Sequence, residues 1–205
     1  MLNDNVFKDV SSTSKKILVV TKYWNETKTK DIIYTCEKNY LDVFYWVWEN
    51  RIENIIEKNL PREKVHFIWN IQSKKISKIV KHCSTIHSLS SLEHAKKIDL
   101  LEREVFAFIQ ICLDSKKNIG INPIELPKFL ENCKDFKYLK IIGISGMLTG
   151  EFNLDEKIEE FRKLISLRDK YLPYGIISAW TSRDYKIALL EWIDVVRVGK
   201  LIDKI

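Results

Sequence analysis

No apolar run in the 205 residues approaches the roughly 18 that a membrane span needs, and the opening MLNDNVFKDVSS lacks the apolar stretch of a secretion signal. Both absences point to a cytoplasmic protein. The four cysteines, Cys36, Cys83, Cys112 and Cys133, are widely separated and form no CxxC pair. That removes the usual zinc and redox spacings, and on apolar segments they read as reduced core thiols. Clustered arginines are lacking too. The net charge is +6, yet lysines alternate with glutamates along helical faces, as in KIEEFRKLISLRDK, which describes a solvated face rather than a nucleic-acid surface. No stretch has linker composition and no close repeat is visible. A chain 45% hydrophobic and 30% charged is ordinary globular chemistry, long enough to bury one core.

What is present is alternation. Short β-rich runs recur: KKILVVTK ending at Lys22, DVFYWVW ending at Trp48, KVHFIWN after Pro61, STIHSL ending at Leu89, EVFAFIQICL from Glu104, LKIIGIS from Leu139, GIISAW ending at Trp180 and DVVRVG ending at Gly199. Most are continuously apolar, as strands buried on both faces must be. Between them lie amphipathic stretches, among them Thr29 to Lys38, Asn50 to Lys58, Ser91 to Glu102 and Leu154 to Tyr171. Such alternation implies a parallel sheet with helical crossovers. Eight strands in a chain near the lower end of about 200 to 400 residues favour a closed (β/α)8 barrel over an open doubly wound sheet. The expected organisation is a short N-terminal segment, 1–15, and a single α/β barrel domain, 16–205, expected to be monomeric.

In a barrel, the C-terminal strand ends gather around one mouth where chemistry is done. Lys22, Glu49, Asn50, Asn70, Gln72, His87, Ser88, Ser182, Arg197 and Gly199 fall there on this reading. Composition alone does not single out Lys22, because a lysine ending a strand is usually solvated. The wording around it does. ILVVTK, ENRIEN, HFIWNIQSKK, IHSLSSL and ISAWTSRDY followed by VVRVG occur in order across the chain, and together they resemble the YggS/PROSC-type pyridoxal phosphate homeostasis proteins from about Ile17 to about Ile202.

The resemblance implies a fold like the N-terminal domain of alanine racemase, with a shortened N-terminus, and pyridoxal 5′-phosphate (PLP) as cofactor. The lysine of the family's V-S-K motif, which forms the Schiff base, matches Lys22, with Thr21 in place of serine. An amine must be partly deprotonated to attack an aldehyde, and desolvation or nearby cations in a barrel mouth favour that. The G-M-S or G-T-S motif after the seventh strand matches Trp180, Thr181 and Ser182; V-R-I-G matches Val196 to Gly199. Ser182 is expected to donate its hydroxyl to the phosphate, and Gly199 to let backbone amides approach it; the alternative for Ser182 is a plain helix cap. Arg197, between apolar neighbours, needs an acceptor: the pyridine nitrogen on the family reading, or a carboxylate such as Asp184. Asn50, in the family's G-E-N with Glu49, is expected to hold the ring or a bound water. His66 reads as a core hydrogen-bonder and His87 as a pocket wall.

Several positions depart from the pattern. Lys74, Lys200 and Ser145 replace an asparagine, a threonine and a methionine, and the helix that usually precedes the first strand is largely missing, which would leave part of the outer layer uncovered. Four of the six tryptophans, Trp48, Trp69, Trp180 and Trp192, stand where the family has glycine. Either indoles fill the mouth or strain a turn there, weakening cofactor binding, or these codons are UGA, which some bacterial lineages read as glycine and other codes as tryptophan. Richness in Lys, Ile and Asn suits an AT-rich gene. Trp24 and Trp46 match no firm family glycine.

The function implied is a PLP binder in intracellular PLP homeostasis, holding the cofactor without catalysis of its own and buffering it or passing it to apo-enzymes. No metal, membrane or nucleic-acid partner is expected. The alternatives are a PLP-dependent racemase or decarboxylase on the same barrel, which usually adds a β domain, and a basic RNA-associated barrel, for which the scattered lysines are unsuited.

Overall fold

Eight apolar runs become eight parallel strands that close on themselves. In the computed structural model, which describes residues 2–113, 119–146, 152–180 and 185–203, they are β1 (Lys16–Val20), β2 (Phe44–Glu49), β3 (Val65–Phe67), β4 (Thr85–Leu89), β5 (Val105–Ile111), β6 (Leu139–Gly146), β7 (Ile176–Trp180) and β8 (Val195–Val198). They form one closed barrel in sequence order. β8 returns to β1 in parallel register, from Lys16↔Val195 to Val19↔Val198, so no strand edge is left open and the doubly wound alternative is excluded.

Among the described residues, seven α-helices occupy the crossovers: α2 (Glu26–Asn39), α3 (Ile52–Lys58), α4 (Ile76–His82), α5 (Leu92–Asp99), α6 (Leu126–Cys133), α7 (Leu154–Tyr171) and α8 (Tyr185–Leu190). Local chemistry starts several of them. Asn25 caps α2 by accepting from the Lys28 amide, and Asn153 and Glu156 form a reciprocal capping box at α7. Strand alternation then sorts the side chains. Ile17, Val19, Val47, Val65 and Val196 pack with helix residues such as Ile32, Ile55, Ile79 and Ile98 in the layer between barrel and helices. Leu18, Val20, Trp48, Ile68 and Val195 form a separate cluster inside the barrel. Gly143 in β6 is required by packing, since a Cβ there would lie 1.9 Å from the Ile176 carbonyl oxygen.

The N-terminal segment corrects one expectation. Residues Asp4–Ser11 form a helix, α1, whose Phe7 and Val10 are fully buried. Phe7 stacks on Tyr40 at 4.1 Å, and the Tyr40 and Tyr185 hydroxyls donate to Asp4 and Asp9 at 2.7 and 2.6 Å. The outer layer is therefore covered on this side by a helix of two turns. Cys36, Cys83 and Cys133 are buried and Cys112 is half-buried; none is in a disulfide. Among the described residues no helix is long and apolar enough to cross a membrane, and no cluster of His, Cys, Asp and Glu has metal-site geometry.

Candidate functional site

β1 ends at the mouth, and Lys22 leaves it two residues past Val20. The side chain is half-buried, its Nζ 5.1 Å from the centre of the Trp48 ring and 5.0 Å from that of Tyr23. Trp48 is 4% exposed and donates its indole N–H to the Ile68 carbonyl at 3.1 Å, so an indole lies beneath the amine. The Lys22 ammonium has aromatic faces around it and forms no ion pair among the described residues.

The backbone that launches Lys22 is held from outside the barrel. Glu49 closes β2 and, one residue out of phase with Trp48, faces away from the interior. It is fully buried and pairs with Lys58 at the end of α3, itself 3% exposed. Thr21 Oγ1 donates to Glu49 Oε1 at 2.7 Å, and Lys58 Nζ donates to the Thr21 carbonyl at 2.8 Å. That carbonyl belongs to the peptide bond joining Thr21 to Lys22. Glu49 is thus not at the mouth, as the strand-end reading had it, but clamps the residue before the lysine. Lys58 was not legible in the sequence, where nothing marks which of many lysines is buried.

Arg197 enters from β8 and is 2% exposed. Its Nη2 donates to the Gly146 carbonyl at 2.8 Å; β8 and β6 are not neighbours, so this bond passes through the interior. Its Nε is buried without a partner, and the guanidinium forms no ion pair among the described residues. Burial pulls its pKa down to about 9.

A polar chain crosses the same interior. His66 Nδ1 and His87 Nε2 lie 2.8 Å apart, and His87 Nδ1 is 3.0 Å from Ser178 Oγ on β7, across the barrel from β4. His87 also stacks on Phe108 at 4.1 Å. Desolvation lowers the His66 pKa to about 3; desolvation, then His66 and Arg197, hold His87 well below the ordinary histidine value. Both rings are therefore neutral near pH 7. Each acts as a hydrogen-bonding core residue, as the sequence suggested for His66.

The remaining expected positions divide. Asn50 is half-buried just past β2, and Gly199 is buried just past β8, where a Cβ would lie 3.2 Å from Val20 Cβ. Both are near the ends of strands adjoining β1. Ser88 is turned to the loop after β3, its hydroxyl donating to the Trp69 carbonyl at 2.6 Å, while Asn70 and Gln72 are exposed. Thr181, Ser182 and Asp184 lie outside the described residues. Clefts of about 530 and 400 Å3 run along α7, the second reaching Cys112 and Leu113 just past β5, and bring together none of these groups.

No protein-family model matches the chain. Curated relatives do. A pyridoxal phosphate homeostasis protein of Aquifex aeolicus is 25% identical over 171 residues, 75% of this chain and 74% of that protein; its counterpart in Corynebacterium glutamicum is 26% identical over 168 residues, 75% and 76%. The chain resembles the pyridoxal phosphate homeostasis proteins. The likeness read from its motifs is borne out. Among solved structures, PipY of Synechococcus elongatus superposes with a TM-score of 0.80 without PLP and 0.76 with PLP bound, at 22% and 21% identity, covering 97% of this chain and 100% of that one. The alanine racemase of Clostridium difficile shares the barrel, at a TM-score of 0.71 and 15% identity, over 96% of this chain but 57% of its own. The expected fold class is thereby established.

Proposed function

We propose that this protein binds PLP in intracellular PLP homeostasis, through a covalent bond to Lys22 and without catalysis of its own. The observation that carries this reading is the placement of Lys22, at the mouth of a barrel whose curated relatives bear that name. When bound, the cofactor supplies an aldehyde for an amine to attack.

The chain's own groups suit such a ligand. Lys22 offers the amine. Among the described residues, Arg197 has a buried N–H without an acceptor, as a pyridine nitrogen would supply. A cation at that position disfavours protonation of the ring and so favours a carrier over an electron-sink catalyst. Gly199 would leave room at the end of β8, Asn50 would hold the ring or a water, and Ser182 would bind the phosphate. Among the described residues, the Trp48 indole beneath Lys22 crowds this arrangement. The reading of a carrier rather than an enzyme is supported by the names of the relatives, and it extends to a cytoplasmic location and to apo PLP enzymes as recipients.

Incubation with PLP, borohydride reduction and peptide mapping test it. The expected label is on Lys22, lost in Lys22→Ala. Label spread over surface lysines and missing from Lys22 would overturn the assignment.

A further inference from the structure

We propose that positions 46, 48 and 192 are glycine in the working protein, because their codons are UGA and the organism reads UGA as glycine. Trp46 and Trp192 have φ of 69° and 63°, in the left-handed region. For a bulky side chain such a value is an outlier, whereas glycine takes it at no steric cost.

Each of the two sits in a motif that calls for glycine. Along β1 and β2 the pairing passes from Ile17↔Phe44 to Val19↔Val47, so β2 carries one residue more than β1 in this interval. Trp46 falls in that bulge, where a left-handed residue is characteristically glycine. At the other position, the Ile193 amide donates to the Ala188 carbonyl at 3.1 Å, a six-to-one bond closing α8. That is the Schellman arrangement, and Trp192 is its left-handed residue, the commonest glycine site at helix ends. Its indole is 72% exposed, with Lys15 Nζ 5.1 Å from the ring centre, so little burial offsets the backbone cost.

The composition agrees. Tryptophan accounts for 6 of 205 residues but for two of the four non-glycine residues at positive φ among those described. The other two include Asn59, a residue type that tolerates this region. Glycine itself numbers only 6, where about 7% of the residues would be ordinary. The motif comparison points to positions 48, 69, 180 and 192; backbone geometry supports 192 and adds 46, which the motifs leave unassigned.

Position 48 gives the inference its functional weight, and this part rests on the PLP reading. Trp48 is the side chain lying beneath the Lys22 amine. Glycine there opens an indole-sized space inside the barrel beside the proposed attachment point, which is where a pyridine ring has to fit.

The decisive experiment is tandem mass spectrometry of the protein isolated from its own cells, alongside the gene's codons. Glycine in the peptides covering positions 46, 48 and 192 is expected. Tryptophan in those peptides, or UGG codons, would overturn the proposal. In recombinant protein, Trp192→Gly is expected to raise Tm by a few degrees, because it relieves backbone strain and removes little packing; an unchanged or lower Tm counts against it. Borohydride labelling by PLP is expected to rise at least tenfold in Trp48→Gly. Native peptides with glycine but no labelling of Lys22 in that variant would leave this inference standing and sink the PLP reading instead.

Discussion

Arg197 is a buried cation whose bonding the described protein groups do not complete. One N–H reaches the Gly146 carbonyl and, among the described residues, Nε has no partner, although the side chain is 2% exposed. Exchanging a buried charge for an apolar side chain of similar volume is often neutral or stabilising, because the desolvation cost of the charge goes with it. Arg197→Met is therefore expected to keep or raise Tm while weakening PLP retention at least tenfold, as measured by thermal melts and equilibrium dialysis with absorbance. A large loss of stability with unchanged retention would make Arg197 a fold residue and nothing more. His66 and His87 are the opposite case, with partners already in place inside the barrel.

Among the elements, the junction of β1, β2 and α3 is built around a buried ion pair. Glu49 and Lys58 hold the hydroxyl and carbonyl of Thr21 together, so the exit of β1 depends on a charge pair supplied by its neighbours. Removing one partner strands the other in a dry site, which costs about 3–5 kcal/mol, while replacing both with apolar groups recovers most of it. Lys58→Met should fall in that range by urea unfolding, and Lys58→Met with Glu49→Leu should return close to the parent. Equal losses in the single and double variants would show that the pair is not coupled. This junction also marks how far the sequence could be read. The strands were legible because each is a dense apolar run. Glu49 reads as a mouth residue because it follows a strand ending at Trp48, whereas β2 continues through it and period-two alternation with Trp48 turns it outside. Helix α1 was missed for a different reason: its apolar residues, Val6, Phe7 and Val10, are too few to show a helical stripe, and tertiary contacts with Tyr40 and Tyr185 stabilise it.

At the scale of the whole molecule, closure of the sheet decides how the protein meets acid. A closed barrel excludes water from its interior, and here that interior holds two neutral imidazoles bonded to each other and to Ser178. The unfolded chain exposes both rings, and each takes up a proton near the ordinary value of 6.5, whereas burial lowers His66 to about 3 and His87 in the same direction. The unfolded state therefore binds more protons as pH falls below 6.5, and stability must fall with it. It is complete above 6.5 and drains away toward the depressed folded value of about 3, with His66 alone contributing a slope on the order of 1 kcal/mol per pH unit in that window. Thermal melts from pH 7 to pH 4.5 should show Tm decreasing steadily. His66→Gln, which keeps a hydrogen-bonding side chain but does not titrate, should flatten the lower part of that profile even if its Tm at pH 7 is reduced. A parallel profile in parent and variant would mean that carboxylates, not the barrel's imidazoles, set the acid limit.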